Sequence, residues 1–278
     1  MKNPYRYFQI LSLDVVVGAL ASGGMAAQIL QVAMPSAWWW ALPISVWVIY
    51  TADHLLDAHR LKEQAHTERH LFHYRYFRVL SAIWMGAFVI CIALIPFLVP
   101  LPILEMGLIM GGFVAFHLGL VQWVGGKTSW LLQKELGVAL IYAAGVWGGP
   151  LVMTGDPLTQ VEIILFLQFF LIALINLMIF SLFDLETDTR DRQTSFVRAI
   201  GAKKTIGFIF FFSAGVALCG LGLASEFSPE EWAVEAIYGA MVAILLLLVV
   251  QRKWFGQKER YRVWGDGVFF LPFLIHFF

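Results

Sequence analysis

Apolar runs about as long as a bilayer is thick constrain this chain more than any other feature. Nine can be read along its 278 residues, at roughly 10–30, 38–53, 79–97, 101–123, 132–153, 160–183, 205–224, 232–250 and a short last one at 266–278. A helix crossing the hydrocarbon core needs about 20 such residues. Hydrophobic residues make up 60 % of the chain and charged residues 14 %. Soluble domains hold about 45–50 % and about 25 %. That balance excludes a disordered chain, a coiled coil, a collagen-like fibre and a nucleic-acid-binding domain. Pro96, Pro100 and Pro102 mark one tight turn between spans, and Thr154-Gly155-Asp156-Pro157 marks another. Cys91 and Cys219 lie in apolar runs, so no disulfide framework is expected. The basic start, Met1 to Arg6, is followed by an apolar stretch too long for a cleavable signal and interrupted by Asp14. The expectation is an all-α polytopic membrane protein, one domain over 1–278, with nine transmembrane helices around a central cavity.

Charge gives the orientation. With nine spans, all 19 Lys and Arg fall on one side or at its membrane edge. They sit in the N-terminal tail, after spans two, six and eight, and around the start of span five. The opposite loops hold Asp156, Glu226, Glu230, Glu231 and Glu235 and no basic residue. By the positive-inside rule the basic side is cytoplasmic, which suits a bacterial-type inner membrane with the N-terminus inside. Trp38, Trp39, Trp40 and Trp232 read as an outer aromatic belt, and Trp123, Trp130, Trp254 and Trp264 as an inner one. Paired glycines such as Gly23-Gly24 and Gly148-Gly149 read as points of close helix packing.

Two acidic clusters stand at cytoplasmic helix ends. Span two ends in Tyr50-Thr51-Ala52-Asp53-His54-Leu55-Leu56-Asp57, and span six in Asp184-Leu185-Glu186-Thr187-Asp188-Thr189-Arg190-Asp191. Spacings of four and three put Asp53 with Asp57, and Asp184 with Asp188 and Asp191, on one helical face each. Glu186 points off that face. Carboxylates beside hydrocarbon are costly and repel one another. Oxygen-only donors at a pocket mouth suit Mg²⁺, which takes one or two carboxylates, waters and substrate phosphates. Segments 54–78 and 184–204 are therefore expected to form cytoplasmic active-site loops. The first carries five histidines, His54, His59, His66, His70 and His73. Without a nearby cysteine these fit phosphate or headgroup contact better than Zn²⁺.

These residues resemble the UbiA family of intramembrane prenyltransferases, which have nine helices and Asp-rich motifs after helices two and six. Asp184-Leu-Glu-Thr-Asp188, then Arg192-Gln193-Thr194-Ser195-Phe196-Val197-Arg198-Ala199-Ile200-Gly201, is similar to the family's D-x-E-x-D and K-x-T-L-A-V-R-L-G. Lys127-Thr128-Ser129-Trp130-Leu131-Leu132-Gln133 with Leu136-Gly137 resembles its K-x-T-x-x-x-Q-x-x-L-G. The first motif departs from N-D-x-x-D-x-x-x-D: Asp53 and Asp57 match its last two acids, but Ile49 and Tyr50 stand where Asn and the first Asp belong.

The resemblance implies transfer of a polyprenyl group from an allylic diphosphate to an aromatic or lipid-like acceptor. Asp53, Asp57, Asp184 and Asp188 would ligate Mg²⁺. Lys127, Arg60 and Arg192 would add positive charge at the diphosphate, and Asn176 and Tyr142 would line the substrate pocket with Trp47 and Trp147. A terpene cyclase of the same fold and a non-catalytic lipid-diphosphate-binding relative are the alternatives. The intramembrane polar residues are too few and too one-sided for a transporter. Asp14 would face the cavity or sit at the interface.

Overall fold

The structure, a computed structural model, describes residues 4–64, 67–124, 132–191 and 194–277; for 121–124, 132 and 133 it describes the backbone alone. The fold is built of helices: α1 Pro4–Ile10, α2 Leu13–Ile29, α3 Trp38–Leu61, α4 Glu68–Arg75, α5 Phe77–Ala93, α6 Leu101–Val124, α7 Leu132–Met153, α8 Gln160–Phe183, α9 Leu185–Arg190, α10 Phe196–Ile200, α11 Ala202–Gly222, α12 Pro229–Val250, α13 Arg252–Phe255 and α14 Arg260–Gly267. A 3₁₀ segment, Val268–Phe277, closes the chain.

Six helices among the described residues are long and apolar enough to cross a membrane: α5 extended to Phe97, α6, α7, α8, α11 and α12. The bent pair α1–α2 makes a seventh if it counts as one span; the two halves meet at 73°. The protein is an integral membrane protein, and the count of nine is not confirmed among the described residues. The break in the first span falls at Ser12, which adopts a left-handed backbone with φ of 56°. The run at 38–53 forms the first part of α3, and that helix runs on through Asp53, His54, Asp57 and Arg60, which dilute its apolar character. The last run is a ten-residue 3₁₀ segment. At about 2 Å of rise per residue it covers about 20 Å, short of the about 30 Å hydrocarbon core.

Helix α8 is the central pillar. Leu165, Phe169, Ile172, Ile175, Met178 and Ile179 along it are fully buried. Helices α7, α11 and α12 pack around it. Its start is fixed by a capping box, in which the Thr159 hydroxyl accepts from the Glu162 backbone N–H and Glu162 reaches back to the Thr159 N–H. The same device, Ser228 with Glu231, opens α12 behind Pro229. Helices α5 and α6 are at the other extreme, with few buried side chains and one apolar face after another left for lipid.

Trp38 corrects the aromatic-belt expectation. It is 3 % exposed and sits inside the bundle, while Trp40 is 73 % exposed as an interface residue should be. Glycines make room for the buried indole. A Cβ on Gly149 would lie 2.2 Å from Trp38 Nε1, and one on Gly23 would lie 2.8 Å from Trp38 Cη2. The glycine pairs are thus close-packing positions at 23 and 149, whereas Gly111 and Gly112 have nothing within 4 Å. Trp123, Trp130 and the pair Gly125-Gly126 lie outside the residues whose side chains are described.

Candidate active site

The cytoplasm-predicted ends of α3 and α8 open into one cavity of about 300 Å³. Both come from the same local logic. Each helix carries its carboxylates at i and i+4 just past its apolar run, so the charged face begins where the buried face ends. Asp53 and Asp57 line the cavity from α3, and Asp184, Asp188 and Asp191 line it from the end of α8 and from α9. Tyr142 of α7 and Asn176 of α8 line it as well. Glu186 is exposed and pairs with Arg190 one helical turn on.

Other predicted residues stand elsewhere. Arg60 does not line the cavity; its Nη2 holds Asp57 Oδ1 at 2.9 Å. Trp147 is fully buried against Phe166 and Phe169, away from the cavity lining, and Trp47 does not line the cavity either. Asp14 is completely buried on α2, with Oδ1 accepting from the Val15 N–H at 2.9 Å. Lys127, Arg192 and His66 lie outside the described residues.

The stretch after the second motif is pinned by two buried bonds. Glu135 Oε1 accepts the Phe196 N–H at 2.5 Å, and Ser181 Oγ accepts the Val197 N–H at 3.0 Å. Arg252 caps the far side of α8 by donating to the Leu182 carbonyl at 2.6 Å. Segments 54–78 and 184–204 are mostly helical where described, in the last turns of α3 and in α4, α9 and α10.

Helix α14 brings residues that the acidic motifs did not point to. Arg262 grips Asp184 with one nitrogen, Nη2, 2.7 and 2.8 Å from the two carboxylate oxygens. Tyr261 donates its hydroxyl to the same Asp184 and stacks on Phe183 at 4.3 Å between ring centroids. Burial alone would lower the Arg262 pKa; the Asp184 carboxylate outweighs it and holds the guanidinium charged. Asp266, one turn further on, lines the cavity at 8 % exposure, and the Asn176 side chain hydrogen-bonds it. Arg262 and Asp266 are spaced i,i+4, the same signal that singled out the aspartate pairs. Read as topology charges, they were passed over.

Helix α4 folds back over the mouth. Arg69 lines the cavity and donates to the Gln9 carbonyl at 3.2 Å. Burial and nearby Arg262 lower its pKa, and Asp266, Asp14 and Asp184 oppose them. Arg6 of α1 bridges Glu68 of α4 at 2.6 Å and Glu259 before α14 at 3.0 Å, a clasp between three elements at the rim. His54 Nε2 lies 3.0 Å from Ser12 Oγ at the break between α1 and α2. His73 Nδ1 lies 2.9 Å from the Arg69 carbonyl, and burial pushes its pKa down to about 4. The histidines thus brace the fold-back of α4, and His54 and His70 also reach the cavity wall.

The cavity lining is unbalanced in charge. Among the described residues eight carboxylates, Asp53, Asp57, Glu68, Asp184, Asp188, Asp191, Glu259 and Asp266, face four cationic side chains, Arg6, Arg69, Lys134 and Arg262. Burial raises Asp188 to about 6, and the neighbouring Asp184 adds to the rise. The inner wall is apolar: Val15, Val138, Ala139, Ala173, Leu177, Phe180 and Phe269. No cluster of three or more His, Cys, Asp or Glu side chains among the described residues is already gathered in metal-binding geometry.

No protein-family model matches the chain, and no curated protein does. Among solved structures, one of a digeranylgeranylglyceryl phosphate synthase in membranes is similar, with a TM-score of 0.55 and 12 % identity over 99 % of this chain and 98 % of that one. At that identity the likeness shows a shared fold. It is the UbiA-like helical fold that the sequence motifs resemble, and it extends end to end.

Proposed function

We propose that this membrane protein transfers a polyprenyl group from an allylic diphosphate to a hydrophobic, lipid-like acceptor. The observation that carries this reading is the cavity itself, with a surplus of carboxylates at its mouth and an apolar wall behind. A prenyl diphosphate has the opposite ends of that pattern once cations accompany its head. The UbiA-like fold supports the same reaction class.

The donor set fits Mg²⁺: all candidate ligands are carboxylate oxygens, and they outnumber the cations that could neutralise them. Asp57 pairs with Arg60 and Asp184 with Arg262, while Arg198 donates to the Asp188 backbone carbonyl. Asp53, Asp57, Asp184 and Asp188 would hold the ion, directly or through water. When bound, Mg²⁺ would neutralise the diphosphate and the charge that grows on it as the allylic C–O bond breaks. Lys134, Arg69 and Arg262 supply fixed positive charge at the same mouth. Lys127 and Arg192 are proposed to join them, and Arg60 to hold Asp57 in place. Tyr142 and Phe269, 5.4 Å apart edge to face, and Phe180 present aromatic surface to the prenyl chain and to a developing cation. Their bulk keeps water off the allylic carbon. We place the mouth on the cytoplasmic side, from the distribution of Lys and Arg.

The test is diphosphate release by the purified protein in detergent, with geranylgeranyl diphosphate, with and without Mg²⁺. Release is expected to need Mg²⁺ and to fall at least about 100-fold in Asp53→Ala/Asp184→Ala. Tight Mg²⁺-dependent binding without release, even with membrane lipid extract present, would overturn the enzyme reading. Product analysis then separates transfer from cyclisation.

A further inference from the structure

The end of the bundle that holds the cavity carries a second feature, which prenyl transfer does not use. Where α13 leaves α12 beside the end of α8 lies an open depression, lined by Phe183, Val250, Arg252, Lys253 and Trp254. None of the five lines the cavity. One part of this surface is apolar and faces outward: Val250 is 71 % exposed, and Leu247, one turn before it, is exposed too. The other part is charged. Arg252 is committed to the Leu182 carbonyl and Arg262 to Asp184. Lys253, Lys258 and Arg260 remain, with no carboxylate partner among the described residues. The one acid in this stretch, Glu259, bridges instead to Arg6, 3.0 Å away. The Arg260 guanidinium lies 4.2 Å over the Trp254 ring, and its Nη1 is buried with no hydrogen-bond partner. Topology accounts for basic residues at this end of the bundle, but it does not require a guanidinium nitrogen buried without an acceptor. Such a donor is costly to leave unmet, and an anion meets it with a charge-assisted bond. Trp254 and Trp264 are exposed, and both pack on Phe255. Exposed indoles of this kind sit where hydrocarbon gives way to headgroups.

We propose that this depression binds an anionic phospholipid of the adjoining leaflet. The headgroup phosphate sits among Lys253, Lys258 and Arg260, and an acyl chain runs along Val250 and Leu247. A free phosphate would use the charges alone. The lipid fits better because the unpaired cations and the exposed apolar surface meet at one ring, Trp254, and basic groups beside a membrane helix end attract anionic headgroups. The site is independent of the reaction assigned to the cavity, yet it adjoins it. Phe183 forms one wall of the depression, and Tyr261, which donates to Asp184, stacks on the Phe183 ring. A lipid seated here therefore braces α13 and α14 against the end of α8.

The experiment titrates the full chain in detergent micelles with phosphatidylglycerol or with phosphatidylcholine, each brominated on its acyl chains, and reads the quenching of tryptophan fluorescence. Half-maximal quenching is expected at a concentration of phosphatidylglycerol about tenfold or more below that of phosphatidylcholine. In Lys253→Gln/Arg260→Gln that preference is expected to shrink to about twofold or less. In Trp254→Phe the quenching specific to phosphatidylglycerol is expected to shrink, because the ring beside the acyl chain is gone. Equal half-points for the two lipids in the wild type overturn the proposal, and that comparison needs no variant to fold. A preference that survives the double substitution puts the lipid elsewhere on the molecule, as does quenching left unchanged by Trp254→Phe. If inorganic phosphate at the concentration of the lipid abolishes the preference, the occupant is a free phosphate and the lipid assignment falls.

Discussion

At the scale of single residues, the chemistry of this protein is a question of which carboxylate is held by what. Asp53, Asp57, Asp184 and Asp188 were legible because i,i+4 acids at the end of an apolar run have few other reasons to be there. Arg262 and Asp266 carry the same spacing but hide among the basic residues that set topology, so their sequence signal was indistinct from a solvated loop. What they do is decided by long-range packing of α14 on α8, through Tyr261 on Phe183, which no local pattern encodes. Arg262 is 18 % exposed at its side chain and is one half of a partly buried pair. Arg262→Ala is therefore expected to lower stability by up to about 3 kcal/mol, and Arg262→Lys by less, as read by denaturation in detergent. Equal stability for wild type and Arg262→Ala would show that the pair is idle. His73 gives the pH dependence. In the unfolded chain it takes up a proton below about 6.5, but in the folded chain only below about 4. The unfolded state thus binds more protons between those values, and stability present above about 6.5 is lost as pH falls toward 4, by up to about 3 kcal/mol. His73→Phe should flatten that part of a melting-temperature profile; a slope that survives belongs to other groups.

At the scale of elements, hydropathy located the long helices of the bundle well and misjudged its edges. Apolar runs of 19 or more residues became α5 to α8, α11 and α12 because in lipid a backbone must satisfy its own hydrogen bonds. The edge segments are shorter, and their structure is set by neighbours. The first span breaks at Ser12 beside His54, and the last tightens into a 3₁₀ segment packed on α2 and α12. Trp38 shows the same limit. Three tryptophans in a row read as an interface belt, yet one of them turns inward onto glycines that lie far off in sequence. Gly149→Ala tests this packing. Its new Cβ would meet the Trp38 ring, and overpacking of this kind costs about 1–3 kcal/mol. A lowered melting temperature is expected, with recovery in Gly149→Ala/Trp38→Leu; no change in the single variant would mean that α3 and α7 part easily.

At the scale of the whole molecule, the fold sets a carboxylate-rich cavity among the basic residues at one end of a membrane bundle and leaves the interior apolar. The likeness to a solved digeranylgeranylglyceryl phosphate synthase extends over nearly the entire chain at 12 % identity, so the fold is shared with little residue identity. The motifs made the fold class legible; the depth of the cavity and its second shell of α14 and α4 groups came only with tertiary contacts. Among the described residues twice as many carboxylates as cations line that cavity, and on the proposed function this has a kinetic consequence. A diphosphate is itself a polyanion and meets repulsion at the mouth until divalent ions have entered. On the proposed function, addition would be compulsory in order, metal first and diphosphate second. Rapid mixing after preincubation with Mg²⁺ should show no lag in diphosphate binding. Preincubation with the diphosphate should show one, and identical traces would mean random entry. On that reading the site would answer to the concentration of a free cation before it answers to its substrate, and its rate would follow the ionic state of the compartment onto which the cavity opens.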